Sequence, residues 1–145
     1  MSEPSTFSVR GEGARITVDV YRYTYSGASD VSDANWVSSR IDCDIYGCRL
    51  RIDATLTTAD FRDFLRDLEA AIEGGTATFE TIEDWLRLKF VVQGTGRAIV
   101  EGEVGNPGWP TLRLRFEFES DQTYFRETIR ELRAVCASFP VIEKV

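Results

Sequence analysis

A chain of 145 residues with 43% hydrophobic side chains fits one folded unit, spanning residues 1–145, with a real core rather than a disordered polymer. Its net charge of −7 disfavours direct contact with nucleic-acid phosphates and suits a basic partner, although charge of this size also serves plain solubility. The chain has no histidine, which removes the commonest general base and the usual activator of a nucleophilic serine or cysteine, and leaves carboxylates as the remaining route to acid–base or metal chemistry.

No stretch approaches the roughly 20 apolar residues that span a bilayer. The start, Met1-Ser2-Glu3-Pro4-Ser5, lacks a basic region followed by an apolar run, so a cytoplasmic location without membrane contact is expected. Three cysteines do not make a disulfide framework. The separation of Cys43 from Cys48 is not a zinc-pair spacing, and neither metal nor cofactor is expected.

Taken in chain order, the first elements are weak strands over Phe7–Arg10 and Ala14–Thr24, where Ile16, Val18 and Val20 alternate with Thr17 and Asp19. The polar run from Ser26 to Asp33 reads as a loop; Asp30 and Asp33 are hard oxygen ligands, but the calcium-loop pattern is absent. Val37 to Leu56 alternates apolar and polar residues on both sides of Tyr46-Gly47, which predicts a β-hairpin with a two-residue turn. Pairing Ile45 with Cys48 sets Asp44 opposite Arg49, Asp42 opposite Arg51 and Arg40 opposite Asp53, and places Cys43 against Leu50 and Ile41 against Ile52. Every outward pair is then opposite in sign, and a slip of one residue would turn the apolar set to water. In this register Cys43 and Cys48 share the buried face without facing each other, so both are expected to be core thiols.

Ala59 to Ile72 carries Phe61, Phe64, Leu65, Leu68, Ala71 and Ile72 on one helical stripe. Thr57 or Thr58 can cap it, and Gly74-Gly75 ends it. Thr76–Ile82 is a further strand. A second hairpin places Leu86, Leu88, Phe90 and Val92 inward, turns at Gly94-Thr95-Gly96, and returns through Ala98, Val100, Gly102 and Val104. Lys89 then faces Glu101, and Arg87 faces Glu103. The next strand sends Leu112, Leu114, Phe116 and Phe118 inward, and its outward Arg113 and Arg115 reach Glu101 and Glu103. A helix from about Gln122 to Ala137 follows, capped by Ser120 or Asp121, with Phe125, Ile129, Leu132, Val135 and Cys136 as its stripe and Pro140 beyond its end. The fold class is α+β: an antiparallel sheet of about seven or eight strands in meander hairpins, two helices on one face, and a strands-then-helix pseudo-repeat. Each half has a tryptophan, Trp36 or Trp85, leading into a hairpin, and both are expected in the core.

Among candidate sites, Glu101 and Glu103 project from one strand face as an acid/base pair would, but the surrounding basic residues account for them as structural ion pairs. Gly94-Thr95-Gly96 joins two strands and lacks the Gly-Lys-Ser/Thr ending of a phosphate loop. In Gly105-Asn106-Pro107-Gly108-Trp109-Pro110 the prolines stiffen a turn, and Trp109 is either an exposed interface anchor or folded back on the sheet edge.

The strings Asp33-Ala34-Asn35-Trp36-Val37, Glu83-Asp84-Trp85-Leu86 and Leu114-Arg115-Phe116-Glu117-Phe118-Glu119-Ser120-Asp121-Gln122-Thr123-Tyr124 together resemble the WapI-type immunity proteins of bacterial contact-dependent competition systems, from about Asp33 onward. The resemblance implies a cytoplasmic, non-enzymatic protein that binds and blocks a cognate toxin domain, in that family a nuclease acting on transfer RNA. It marks no toxin-contacting residues. Two other classes stay open: a small enzyme or ligand-binding protein working through carboxylates, and a domain that self-associates through a sheet edge. For the immunity reading, the expected contact residues are Asp42, Asp44, Glu101 and Glu103 on the charged outer sheet face, with Trp109 on its adjoining loop.

Overall fold

The Tyr46-Gly47 turn shows how local geometry sets the first half. Both central residues take positive φ, 51° at Tyr46 and 84° at Gly47, as the tight hairpin turn matching the twist of the flanking strands requires. The computed structural model describes residues 3–145. In it β1 (Ser5–Gly11), β2 (Ala14–Tyr23), β3 (Trp36–Ile45) and β4 (Cys48–Thr57) form an antiparallel meander in that order. The β3–β4 register is the one that charge pairing predicts, from Ile45 opposite Cys48 to Arg40 opposite Asp53. All three outward ion pairs form, at 3.0 Å for Arg40–Asp53, 3.1 Å for Arg51–Asp42 and 3.9 Å for Arg49–Asp44.

The second half repeats the design with β5 (Gly75–Glu80), β6 (Leu86–Val92), β7 (Arg97–Gly105) and β8 (Arg113–Asp121). The expected cross-strand partners Lys89–Glu101 and Arg87–Glu103 are in register. The strands therefore divide into two sheets of four instead of continuing as one. Each meander ends in a helix, α2 (Thr58–Ala71) or α3 (Gln122–Ser138). Thr57 and Asp60 cap α2 reciprocally in a capping box, and Asp121 caps α3.

The repeat is most legible where β4 and β8 run into their helices. Arg49-Leu50-Arg51-Ile52-Asp53 corresponds to Arg113-Leu114-Arg115-Phe116-Glu117, and Phe61, Leu65 and Leu68 correspond to Phe125, Ile129 and Leu132. Each helix crosses to the other half: α2 packs along β5 and α3 along β1, and the two helices touch. Between them lies a group of buried aromatic rings. Phe7 meets Phe61 edge-on at 5.7 Å and Phe79 at 6.1 Å, while Phe64 lies 4.9 Å from Phe79 and Phe90 lies 5.3 Å from Phe125. These rings join one core cluster drawn from both sheets and both helices.

The crossing of α3 onto β1 is sealed by polar side chains. The Thr128 hydroxyl donates to the Ser8 carbonyl at 2.6 Å, and the Ser8 amide donates to Glu131 at 3.1 Å. Arg10 holds both Glu131 carboxylate oxygens, at 3.0 and 2.8 Å. An edge strand's free N–H and C=O groups are thereby satisfied by a helix, which removes a template for unwanted strand pairing. Beyond Arg10 the two sheets meet directly. The Glu12 amide donates to the Glu119 carbonyl at 2.9 Å, and the Ser120 hydroxyl donates to the Arg10 carbonyl at 2.6 Å. A Cβ on Gly11 would lie 2.3 Å from that Glu119 oxygen, so the approach requires glycine.

Asn35 anchors the end of the chain. Its side chain accepts from the Thr58 hydroxyl at 2.6 Å and from the Ile142 amide at 2.7 Å, and donates to the carbonyls of Val31 and Ile142 at 2.8 and 2.9 Å. In the Ser26–Asp33 stretch the chain forms a short helix, α1 (Val31–Ala34), whose first amides donate to the Asp30 carboxylate; that carboxylate serves as a cap.

Three expectations are corrected. Cys48 is exposed, not in the core, because it opens the outermost strand of its sheet directly after the turn, whereas Cys43 on the inner β3 is fully buried and burial pushes its thiol up to about 12. Leu112 lies before β8 begins and is exposed, because the β7–β8 connection extends to it. Trp36 and Trp85 are half-buried at the margin of the core instead of fully inside it.

Replacing Glu131 by alanine leaves the Ser8 amide without its partner and Arg10 without its bidentate acceptor, and should cost about 1–3 kcal/mol in chemical denaturation. Phe79→Ala empties the centre of the aromatic group and should cost about 3–5 kcal/mol in the same assay.

Candidate functional site

The polar face of the second sheet is built by strict alternation. Residues whose neighbours point into the core point outward here: Glu80 from β5, Arg87 and Lys89 from β6, Glu101 and Glu103 from β7, Arg113, Arg115 and Glu117 from β8. Glu80, Arg87, Lys89, Glu101, Arg115 and Glu117 line an open trough of about 800 Å³, whereas Glu103 and Arg113 face the smaller trough beside it. A smaller trough of about 360 Å³ shares Glu80 and Arg87 with it and runs on to the β7–β8 loop, where Asn106, Pro107, Gly108 and Thr111 form its wall.

Glu103 organises this face. Arg113 donates to it at 2.8 Å, and Arg87 and Arg115 approach to 3.5 and 3.8 Å. The hydrogen bond from Arg113, helped by the charges of all three arginines and opposed by partial burial, holds the Glu103 carboxyl below the usual carboxylate range. The same Arg113 guanidinium donates to the carbonyl of Asp84 and, at 3.4 Å, to that of Asn106. One cation therefore ties β7 to the two loops at this end of the sheet.

Glu101 differs from its neighbour. It stands between Lys89 and Glu117 in the ladder, and among the described residues no cation comes within ion-pair distance of it. The expected Glu101–Lys89 pair is in register but not in contact. The next outward residue of β7, Glu103, draws the arginines instead.

The five residues singled out in the sequence do not share one surface. Asp42 and Asp44 lie on the outer face of the first sheet, paired with Arg51 and Arg49. Glu101 and Glu103 lie on the outer face of the second. Trp109 stands at the tip of the β7–β8 loop, 91% exposed, and is not folded back on the sheet edge. Sequence reading missed Ile82 and Leu112, which are 69% and 59% exposed. Each looked like part of an alternating strand, and only the loop geometry carries it outward.

A buried carboxyl does exist elsewhere. Burial raises Asp60, against the opposing hydrogen bonds from Thr57 and from the Ile82 backbone. This acid closes the capping box of α2 and lines neither trough. Among the described residues no cluster of three or more potential metal ligands forms, and no helix is long and apolar enough to cross a membrane.

Fold and surface together define an α+β protein of two matched four-strand-and-helix halves, with charge-laced sheet faces and one exposed tryptophan. The chain belongs to the WapI-like immunity protein family, whose model matches residues 7–140. The match takes in the first two strands as well as the segments that carry the resemblance in the sequence. No curated protein matches the chain.

The low Glu103 carboxyl has a defined pH consequence. A folded value below the unfolded one gives stability that is present above about 4.5 and is lost as pH falls through the folded value. Glu103→Gln should therefore lower the melting temperature near neutral pH, and its deficit relative to wild type should shrink in acid, as read by a series of thermal melts between pH 7 and pH 3.

Proposed function

We propose that this chain is an immunity protein that works in the cytoplasm, binding a basic, nuclease-type toxin domain and blocking it one-to-one, with no substrate or cofactor of its own. Family membership supports the class of function. The observation that carries a binding role is Trp109, an indole left almost wholly in water. An exposed tryptophan adds nothing to folding, but it is among the residues most often found at the energetic centre of an interface. Burying it against a partner removes a large apolar area from water.

The net charge of −7 supports a basic partner, because opposite fields speed encounter and favour the correct orientation. An acidic protein is also poorly suited to compete for the toxin's nucleic-acid substrate by resembling a nucleic-acid binder; it is suited to cover the toxin's own basic surface. The state of Glu103 weighs against a general-acid role for that carboxyl. A general acid near neutral pH needs a raised carboxyl, and the arginines push this one down.

Co-expression with a nuclease-type toxin domain of the kind this family neutralises, taken from beside the gene where one is encoded there, tests the reading. Growth should be restored in proportion to the amount of this protein, and the two chains should copurify at equal stoichiometry with an affinity that weakens as salt rises. Persistent growth arrest, with both chains folded and present in the cell, would end the proposal.

A further inference from the structure

Resting on the immunity reading, we infer that the toxin docks on the loop end of the second sheet, taking Trp109 into an apolar pocket while Glu83 and Asp84 meet basic side chains around it. Two loops build this end: residues 81–85 between β5 and β6, and residues 106–112 between β7 and β8. Between them they present Ile82, Trp109 and Leu112 to water. Single exposed apolar residues are ordinary on protein surfaces. Three large ones on the two loops at one end of a sheet, a tryptophan among them, give that end an anchor and apolar flanks of the kind a contact surface uses.

The loops are held in shape before any partner arrives. Asn106 and Leu112 close the longer loop at its base: the Asn106 amide donates to the Leu112 carbonyl at 3.2 Å, and the Leu112 amide donates to the Asn106 side chain at 2.7 Å. The Thr111 hydroxyl spans the loop to the Gly108 carbonyl at 2.8 Å, and the Asn106 side chain donates to the Pro110 carbonyl. The Thr81 hydroxyl pins the shorter loop by accepting from the Trp85 amide at 3.1 Å. The Gly105 amide joins the two, donating to the Trp85 carbonyl at 3.0 Å, alongside the Arg113 contact with Asp84. A tryptophan on a braced loop loses little conformational freedom on binding, so more of its burial appears as affinity.

Charge then selects the kind of partner. Glu83 and Asp84 are exposed, and among the described residues neither carboxylate is in an ion pair. Arg113, the cation that touches this loop, is committed to Glu103 and to backbone carbonyls. Two carboxylates without an ion-pair partner thus stand on the shorter loop beside the exposed apolar residues, which matches a basic protein surface. Glu103 and Arg113 act here as positioning residues that set both loops, and not as contacts. The acids on the first sheet are less available, since Asp42 and Asp44 are already paired.

Titration calorimetry with the toxin domain that the growth assay shows to be neutralised, beside that assay, decides the matter. Trp109→Ala should weaken the complex by about 30-fold or more, the loss expected of an interface hot spot. Glu83→Lys combined with Asp84→Lys should slow association and flatten its salt dependence, while Glu73→Lys at the far end of α2 should change neither. Unchanged melting temperatures would exclude misfolding as the cause. Wild-type neutralisation that survives Trp109→Ala at full affinity would overturn this surface and leave the immunity reading standing. Loss of binding on Asp42→Lys combined with Asp44→Lys, with Trp109→Ala silent, would move the interface to the first sheet and overturn the inference. Failure of the wild-type chain itself to neutralise would remove both readings together.

Discussion

A meander sheet leaves its first strand with one unpaired edge, and in this protein each half puts its own helix along the first strand of the other half. The requirement to satisfy that edge explains much of the arrangement. On β1 the seal is explicit: Thr128 and Glu131 from α3 take up the carbonyl and amide of Ser8, and Arg10 locks the carboxylate in place. The crossed helices then bring Phe61 and Phe64 against Phe7 and Phe79, so the aromatic centre belongs to neither half alone. Such a centre couples the halves, because the apolar area that stabilises each of them is removed from water only when both are present.

A second constraint works at the surface. Three arginines converge on Glu103, and one of them, Arg113, extends to the carbonyls of both loops at that end of the sheet. Exposed ion pairs contribute little to stability singly, typically about 0–1 kcal/mol. Their value here is geometric, since a planar guanidinium with several donors fixes directions that a single charge does not. The braced loop can then carry an indole in water without collapsing onto the sheet. Stiffness paid for by the fold is what turns an exposed side chain into a ready contact.

Much of this was readable in the chain. The β3–β4 register followed from sign matching of Asp42, Asp44 and Asp53 with Arg51, Arg49 and Arg40, because alternation fixes which side chains share a face. Both long helices were equally legible, being local, and the cap of α3 was narrowed to Ser120 or Asp121, of which the structure uses Asp121. The strands-then-helix repeat was visible as well, from the tryptophan before each hairpin and the helix after it, while the match of Arg-Leu-Arg-Ile-Asp to Arg-Leu-Arg-Phe-Glu gains its meaning from the equivalent places of β4 and β8 in the fold. What was misread lay at the ends of elements. Cys48 and Leu112 continue an alternating pattern, yet pattern alone does not report that a strand is at the sheet's rim or that a connection has not yet ended.

By itself, then, the sequence determined the class of fold, the registers of the β3–β4 and β6–β7 hairpins, the helix stripes and the acidic balance, since each depends on neighbours a few residues apart or directly across a hairpin. The tertiary structure alone decided that the strands form two sheets, that the helices exchange halves, that Asp42 and Glu101 face different surroundings, and that Ile82, Trp109 and Leu112 gather at one end. These depend on contacts between residues far apart in the chain, such as Ser8 with Glu131 or Asp84 with Arg113. No local periodicity encodes such meetings; they arise when two apolar faces are buried against each other and the remaining polar groups take the partners that the packing brings within reach.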